Sequence, residues 1–208
     1  MIRVVAAAAL AVVATAGTPA AATVDTIPAA TAETVPAAAT WTIEGSCREG
    51  VVHGAYQLRA ANGQLRASGA FSKGKRTGSF LFWDSSGARV AHLPFDEDLR
   101  SGTLALWYPP AGKRGEPVQR LEAVYSHGIL VGAKRSWYPS GRIRSEFRYD
   151  RGSLADAAAF DTAARPLPAE QARAMAERDL AADEAAIASF EALVRDHLPH
   201  CATNGRET

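Results

Sequence analysis

The chain has 208 residues, 47% of them apolar and 22% charged, with a formal net charge of +1 and two cysteines. That length holds one ordinary domain with additions. Nothing marks a nucleic-acid binder, and no segment supplies the roughly 20 apolar residues of a membrane-spanning helix. Alanine in the two terminal regions inflates the apolar fraction, so the core must come from the middle. Charge divides unevenly, with 17 Lys+Arg against 10 Asp+Glu in residues 41–152 and 5 against 10 in residues 153–208. Either the acidic tail docks on the basic body, or the body keeps a basic face for a partner.

Residues 1–22 read as an export signal: Arg3 is the positive region, Val4 to Ala14 the apolar stretch, and Ala20-Ala21-Ala22 the small-residue cleavage site, with Ala14-Thr15-Ala16 as a second cut. The expected location is periplasmic or secreted. Residues 23–40 are a linker of Ala, Thr and Pro, with too few large apolar side chains to offset ordering entropy. At Trp41 the composition changes, and Trp41 to Cys47 alternates as a strand does.

From there to residue 152 an aromatic residue and three glycines return every 24 residues. One unit reads Phe71, Gly74, Gly78, Gly87, and the pattern restarts at Phe95; Tyr125 and Tyr149 continue it after an insertion of six residues in the third unit. Each unit is predicted to be a β-hairpin. The first strands are Tyr56 to Arg59, Phe80 to Trp83, Leu104 to Tyr108 and Arg135 to Tyr138, and tight turns at Gly63, Gly87, Gly112 and Gly141 lead to the second strands.

Alternate positions counted back from the anchors form one apolar face: Cys47, Phe71, Phe95, Tyr125 and Tyr149, then Gly45, Gly69, Leu93, Ala123 and Phe147, then Ile43, Ala67, Ala91, Leu121 and Ser145. The positions between them form two columns expected to face solvent, Thr42, Arg66, Val90, Arg120 and Arg144, and Glu44, Ser68, His92, Glu122 and Glu146. Arg66, Arg120 and Arg144 make a spaced basic row, read either as cross-strand partners of the glutamates or as a binding row. Trp83, Trp107 and Trp137 share one register position and are expected to stack as an aromatic ladder. The insertion carries Lys113 and Arg114 at its tip, a second candidate binding element.

Residues 156–166 hold a partial fifth unit around Phe160, and Pro166-Leu167-Pro168 ends it. Within residues 166–200 the spacing of Ala176, Leu180, Ile187, Phe190, Val194 and Leu198 predicts one amphipathic helix from about Ala169 to His197. It is read as a cap or cover for the sheet. Residues 201–208 are a tail. Cys47 and Cys201 stand near opposite ends of the folded region; in an oxidising compartment they can pair, and the sequence leaves free thiols equally open.

The step Gly128-Ile129-Leu130-Val131-Gly132 followed by Trp137-Tyr138-Pro139-Ser140-Gly141 resembles the MORN repeat, in particular the bacterial variant known as YwqK-type antitoxin repeats. The resemblance covers residues 41–152. It implies a mostly β, open antiparallel hairpin array, no catalytic residues and work by protein–protein contact. The chain departs from the eukaryotic pattern where Tyr56, Phe80, Leu104 and Lys134 replace a glycine in the first strand.

Motifs for chemistry are sparse. His197, His200 and Cys201 have the spacing of a partial zinc site, but a helix end with a half-cystine accounts for them. His53 and His127 sit by glycine turns, and there is no nucleophile elbow, phosphate-binding loop or zinc-protease helix. The expectation is an exported non-enzymatic scaffold without cofactor or metal, binding a protein partner such as a toxin or an envelope protein. The alternative is an envelope module holding an anionic polymer or lipid headgroups on its basic β-face.

Overall fold

The computed structural model describes residues 40–110 and 117–202. The export signal, the linker, the insertion tip with Lys113 and Arg114, and residues 203–208 lie outside the described residues. The strands are β1 (Thr42–Arg48), β2 (Val51–Arg59), β3 (Leu65–Ser72), β4 (Lys75–Trp83), β5 (Arg89–Asp96), β6 (Leu99–Arg100), β7 (Gly102–Trp107), β8 (Gln119–Ser126), β9 (Ile129–Trp137), β10 (Ile143–Asp150) and β11 (Ser153–Ala159). They form one open antiparallel sheet in sequence order, with the short β6 paired to β5 just ahead of β7. One helix, α1 (Ala169–Arg195), follows.

Two local devices generate the repeat. The first is a two-residue turn in which both residues have positive φ, at Glu49-Gly50, Lys73-Gly74, Glu97-Asp98, His127-Gly128 and Arg151-Gly152. This is the turn whose twist suits adjacent antiparallel strands, and it explains the first glycine of the motif. The third unit alone has Asp98 in the glycine's place, at φ 71°. The turns also stack: the N–H groups of Gly74, Asp98, Gly128 and Gly152 donate to the carbonyls of Val52, Arg76, Arg100 and Leu130, each one unit back, at 2.8–3.0 Å.

The second device is the next glycine of the motif. The sequence pattern predicts a short first strand after it, but the strand begins just after the turn and runs through it. In the complete units Gly54, Gly78 and Gly132 sit inside β2, β4 and β9, and Gly102 opens β7, all at positive φ. Each stands directly opposite the aromatic anchor of its hairpin, Gly54 with Phe71, Gly78 with Phe95, Gly102 with Tyr125 and Gly132 with Tyr149. The ladder slips there on the other side of the strand, between Ser68 and Ala70 and between Ala123 and Val124, so the long strand bends without breaking.

The core is organised in cross-strand rows. One runs through ten strands as Ile43, Leu58, Ala67, Phe82, Ala91, Leu106, Leu121, Ser136, Ser145 and Ala159. Beside it Phe71, Phe95, Tyr125 and Tyr149 are all buried, as the 24-residue beat predicted. Cys47 departs from that row: on the edge strand it is exposed. Gly69 is occupied by its neighbour, because a Cβ built there would lie 2.5–2.6 Å from three carbons of the Phe80 ring.

Simple alternation fails at one place per hairpin, and the failure is systematic. Leu58 pairs with Ala67 but Arg59 with Leu65, so Arg66 is left over; Val90, Arg120 and Arg144 are left over in the same way in the next three hairpins. A bulge of this kind turns its extra side chain toward the face of its neighbour. Val90, Arg120 and Arg144 therefore lie buried on the helix side, at 7%, 3% and 2% exposure, where alternation had placed them in solvent. The other column, Glu44, Ser68, His92, Glu122 and Glu146, remains on the uncovered face and at least partly accessible.

Beyond β11 a turn at Asp161–Arg165 closes as the earlier ones do, with the Asp161 carboxylate accepting from the backbone N–H groups of Ala163 and Arg165. Phe160 then bridges to Pro166, which completes a half-unit. Helix α1 starts behind Pro168 and crosses the inner face back toward β1. Its 27 residues reach about 40 Å, and nine strand spacings span about 43 Å, so one helix covers the sheet's full width. Ala172, Met175, Ala176, Ile187, Phe190 and Val194 are its buried apolar stripe, and Phe190 meets Phe82 at 5.0 Å between ring centroids.

Candidate functional site

The seam between helix and sheet gathers most of the molecule's buried charge. Reading along α1, the Asp179 carboxylate takes a two-pronged contact from the Arg144 guanidinium of β10. One turn on, Asp183 accepts from Arg120 of β8 at 3.0 Å and from Lys134 of β9 at 2.7 Å. Glu184 and Glu191 hold Arg100 at 2.7 Å each, and Glu191 also reaches Arg76 at 3.4 Å. Past the helix, the Tyr56 hydroxyl donates to the His197 carbonyl at 2.9 Å, and Trp41 meets the His197 ring edge-on. A disulfide between Cys201 and Cys47 ends the series, with their Cα atoms 5.6 Å apart.

This arrangement decides between the two readings of the segmental charge: the acidic helix docks on the basic body. Arg120 and Arg144 are thereby withdrawn from any solvent-facing binding row. Arg66 stands apart from them, its Nε donating to the Trp83 carbonyl at 3.0 Å. The side chains of Arg120, Lys134 and Arg144 are each 3% exposed, and those of Asp183 and Asp179 are 13% and 15% exposed. Around them the cross-strand row turns polar, and Ser136 and Ser145 share a hydrogen bond of 2.6 Å. Arg120 Nε and Arg144 Nε are buried without a partner among the described residues.

Nearby phenols feel the same enclosure. Burial raises the Tyr108 pKa against the lowering effect of Arg120 and Arg144. Burial also raises Tyr149, with Asp179 and Asp183 adding to the effect. Tyr125 is raised by burial and by its hydrogen bond to Glu184. For Arg100, burial opposes the charge, but the bonds to Glu184 and Glu191 more than offset it and the pKa lies above the ordinary arginine value.

The missed residues are Asp179, Asp183, Glu184 and Glu191. The signal was present: between Ala176 and Ile187 the inward stripe has a gap that Asp179 and Asp183 fill at helical spacing. Lys134, in the column of Tyr56, Phe80 and Leu104, was the matching irregularity on the sheet; it is 2% exposed.

Two grooves flank the helix on the side of the two-residue turns. One, of about 470 Å³, is lined by Leu99, Arg100, Tyr125, Leu130, Leu180 and Glu184 among others. The second, of about 380 Å³, is lined by Phe71, Arg76, Asp98, Glu191, Val194 and Leu198 among others. Their carboxylates already have arginine partners, and Asp98 accepts from the Arg76 backbone N–H and Nε at 2.8 and 2.9 Å. Val51, Leu99 and Ile129, 40–49% exposed, lean on Gly74, Gly128 and Gly152 of the following turns.

The opposite face of the sheet carries a second register row: Glu44, Gln57, Ser68, Leu81, His92, Ala105, Glu122, Arg135, Glu146 and Ala158. No described element covers it. Arg135 pairs there with Glu122 and Glu146 at 3.5 and 3.1 Å. Trp83, Trp107 and Trp137 lie half-buried on this face, but they do not stack on one another among the described residues; Arg89 lies 4.6 Å over the Trp107 ring instead. Equivalent strands are two apart, about 10 Å, which exceeds the reach of a ring pair.

No protein-family model and no curated protein matches the chain. Among the described residues no helix is long and apolar enough to cross a membrane, and no group of three His, Cys, Asp or Glu could hold a metal ion. Cys201 is bonded to Cys47, which removes the thiolate from the partial zinc spacing at the helix end.

Proposed function

We propose that the protein is an exported, non-enzymatic repeat scaffold of the MORN-like kind that binds another protein, in the manner of an immunity or antitoxin-like factor. The observation that carries this reading is the bare outer face, where Leu81, Trp83, Pro94, Trp107, Val124 and Val131 stand half-buried with no described element above them. Half-exposed aromatic and aliphatic side chains on a rigid sheet suit a protein partner, whose apolar groups complete their burial. Export is supported by the disulfide, which persists in oxidising compartments.

Binding of an anionic polymer or lipid headgroups is supported less well. The arginines that would have formed its basic face, Arg120 and Arg144, neutralise helix carboxylates instead. Capture from an envelope extract tests the proposal, comparing the wild type with a Leu81→Arg, Val124→Arg variant at low and high ionic strength. The expected result is one partner retained by the wild type at high salt and lost by the variant. Equal capture by both refutes the outer face, and capture that vanishes with salt favours the polymer reading.

A further inference from the structure

The two edges of the sheet are finished differently. Beyond β11 the chain folds back, with Phe160 bridged to Pro166 and the Leu167 N–H donating to the Ala159 carbonyl at 2.8 Å. At the other edge, among the described residues, β1 pairs with β2 alone, and every residue of it except Ile43 is exposed. Arg48 and Val51 close the two-residue turn at Glu49-Gly50, which sets the parity of the strand. Arg48, Ser46 and Glu44 direct their backbone groups to β2, and Cys47, Gly45 and Ile43 direct theirs outward. The slip in this hairpin places its extra residues in β2, so the alternation along β1 is unbroken.

We propose that this edge is a self-association site, at which β1 of one copy pairs antiparallel with β1 of a second about a two-fold axis at Ser46. An unpaired edge is a template for another strand, and a self-complementary strand gives a closed two-fold dimer. Charge selects the register. With Ser46 on the axis, Gly45 of each copy exchanges hydrogen bonds with Cys47 of the other, and Glu44 of each copy lies directly opposite Arg48 of the other. Of the neighbouring registers of correct parity, the one centred on Gly45 sets Glu44 against Ser46 and Arg48 against Thr42, and the one centred on Cys47 sets Arg48 against Ser46 and Glu44 against the turn at Gly50; neither matches charges. Within one copy Glu44 has, among the described residues, only the exposed Arg59 contact at 3.3 Å, its side chain 55% exposed, so it is accessible to a second arginine. This inference does not depend on the partner proposed for the outer face.

One short strand pair buries little surface, so the dimer is weak, with a dissociation constant of roughly 10–1,000 μM. Sedimentation velocity across that range on the purified protein reads it directly. Glu44→Arg and Arg48→Glu singly are expected to weaken dimerisation about tenfold or more, because each sets like charges opposite twice. The double exchange, Glu44→Arg with Arg48→Glu, restores it to within about threefold. Thermal melting of each variant reports on folding, and the restored double variant guards against a folding artefact. A protein that stays monomeric throughout the range overturns the proposal. So does a dimer whose stability ignores both single reversals, since its contact lies elsewhere.

Discussion

Replacing Asp183 by Asn leaves Arg120 and Lys134 in place with no anion, in a site where both cationic side chains are 3% exposed. The charges cannot turn to water, since helix and sheet close over them. Stranding a buried charge by removing its partner costs about 3–5 kcal/mol. For a domain of this size each kcal/mol lowers the melting temperature by about 2–4 °C, so a fall of about 6–20 °C is expected. Thermal melting followed by far-ultraviolet circular dichroism measures the fall, and urea denaturation followed by tryptophan fluorescence measures the free energy. Glu97→Gln, which removes an exposed contact with Lys75 at 3.4 Å, is the control and should stay within about 0.5 kcal/mol. An apolar triple variant, Arg120→Met, Lys134→Met and Asp183→Leu, should recover most of the loss, because the charges are costly to bury even when paired. A loss below about 1 kcal/mol for Asp183→Asn would show a hydrated cluster and refute the reasoning.

Gly69→Ala tests packing without backbone strain: the new methyl would meet the Phe80 ring at 2.5–2.6 Å and should cost about 1–3 kcal/mol, relieved by adding Phe80→Leu. Indifference to Gly69→Ala would mean that the ring is free to move away. Breaking the disulfide, whose cysteines are 154 residues apart, should lower stability by up to about 5 kcal/mol, and thiol titration of the unreduced protein should find no reactive cysteine. Two reactive thiols would contradict the pairing. Tyr56, Tyr108, Tyr125 and Tyr149 have pKa values raised by burial, so the folded state keeps protons that unfolded phenols release. Their contribution is complete below about pH 10 and is lost above it. The urea midpoint should fall there together with the rise of tyrosinate absorbance; early titration of all tyrosines with an unchanged midpoint would exclude it.

The repeat was legible because its glycines and aromatics answer to local rules. A two-residue turn with positive φ favours glycine, as at Gly50, Gly74, Gly128 and Gly152, and the positive φ of the bend opposite an anchor such as Phe95 favours it again at Gly78, so both leave a mark at a fixed interval. The helix was legible from its apolar spacing for the same reason. What alternation could not show was the bulge, since Arg120 and Arg144 look like ordinary outward residues until the partner strand's register is known. The binding row built on them was lost at that point. Asp179 and Asp183 were hidden because carboxylates on a helix are usually solvated, and only the cations beneath reveal their direction.

The return of α1 across every hairpin has one more consequence. Arrays of this architecture ordinarily gain and lose units with little penalty, each unit answering only to its neighbours. Here the helix acts as a ruler: Asp179, Asp183, Glu184, Glu191 and Cys201 each meet a partner on a particular strand. Excising or duplicating one hairpin would displace every mark beyond it on that ruler by about 10 Å, two strand widths. The number of units is therefore tied to the length of the helix, and the two can change only together.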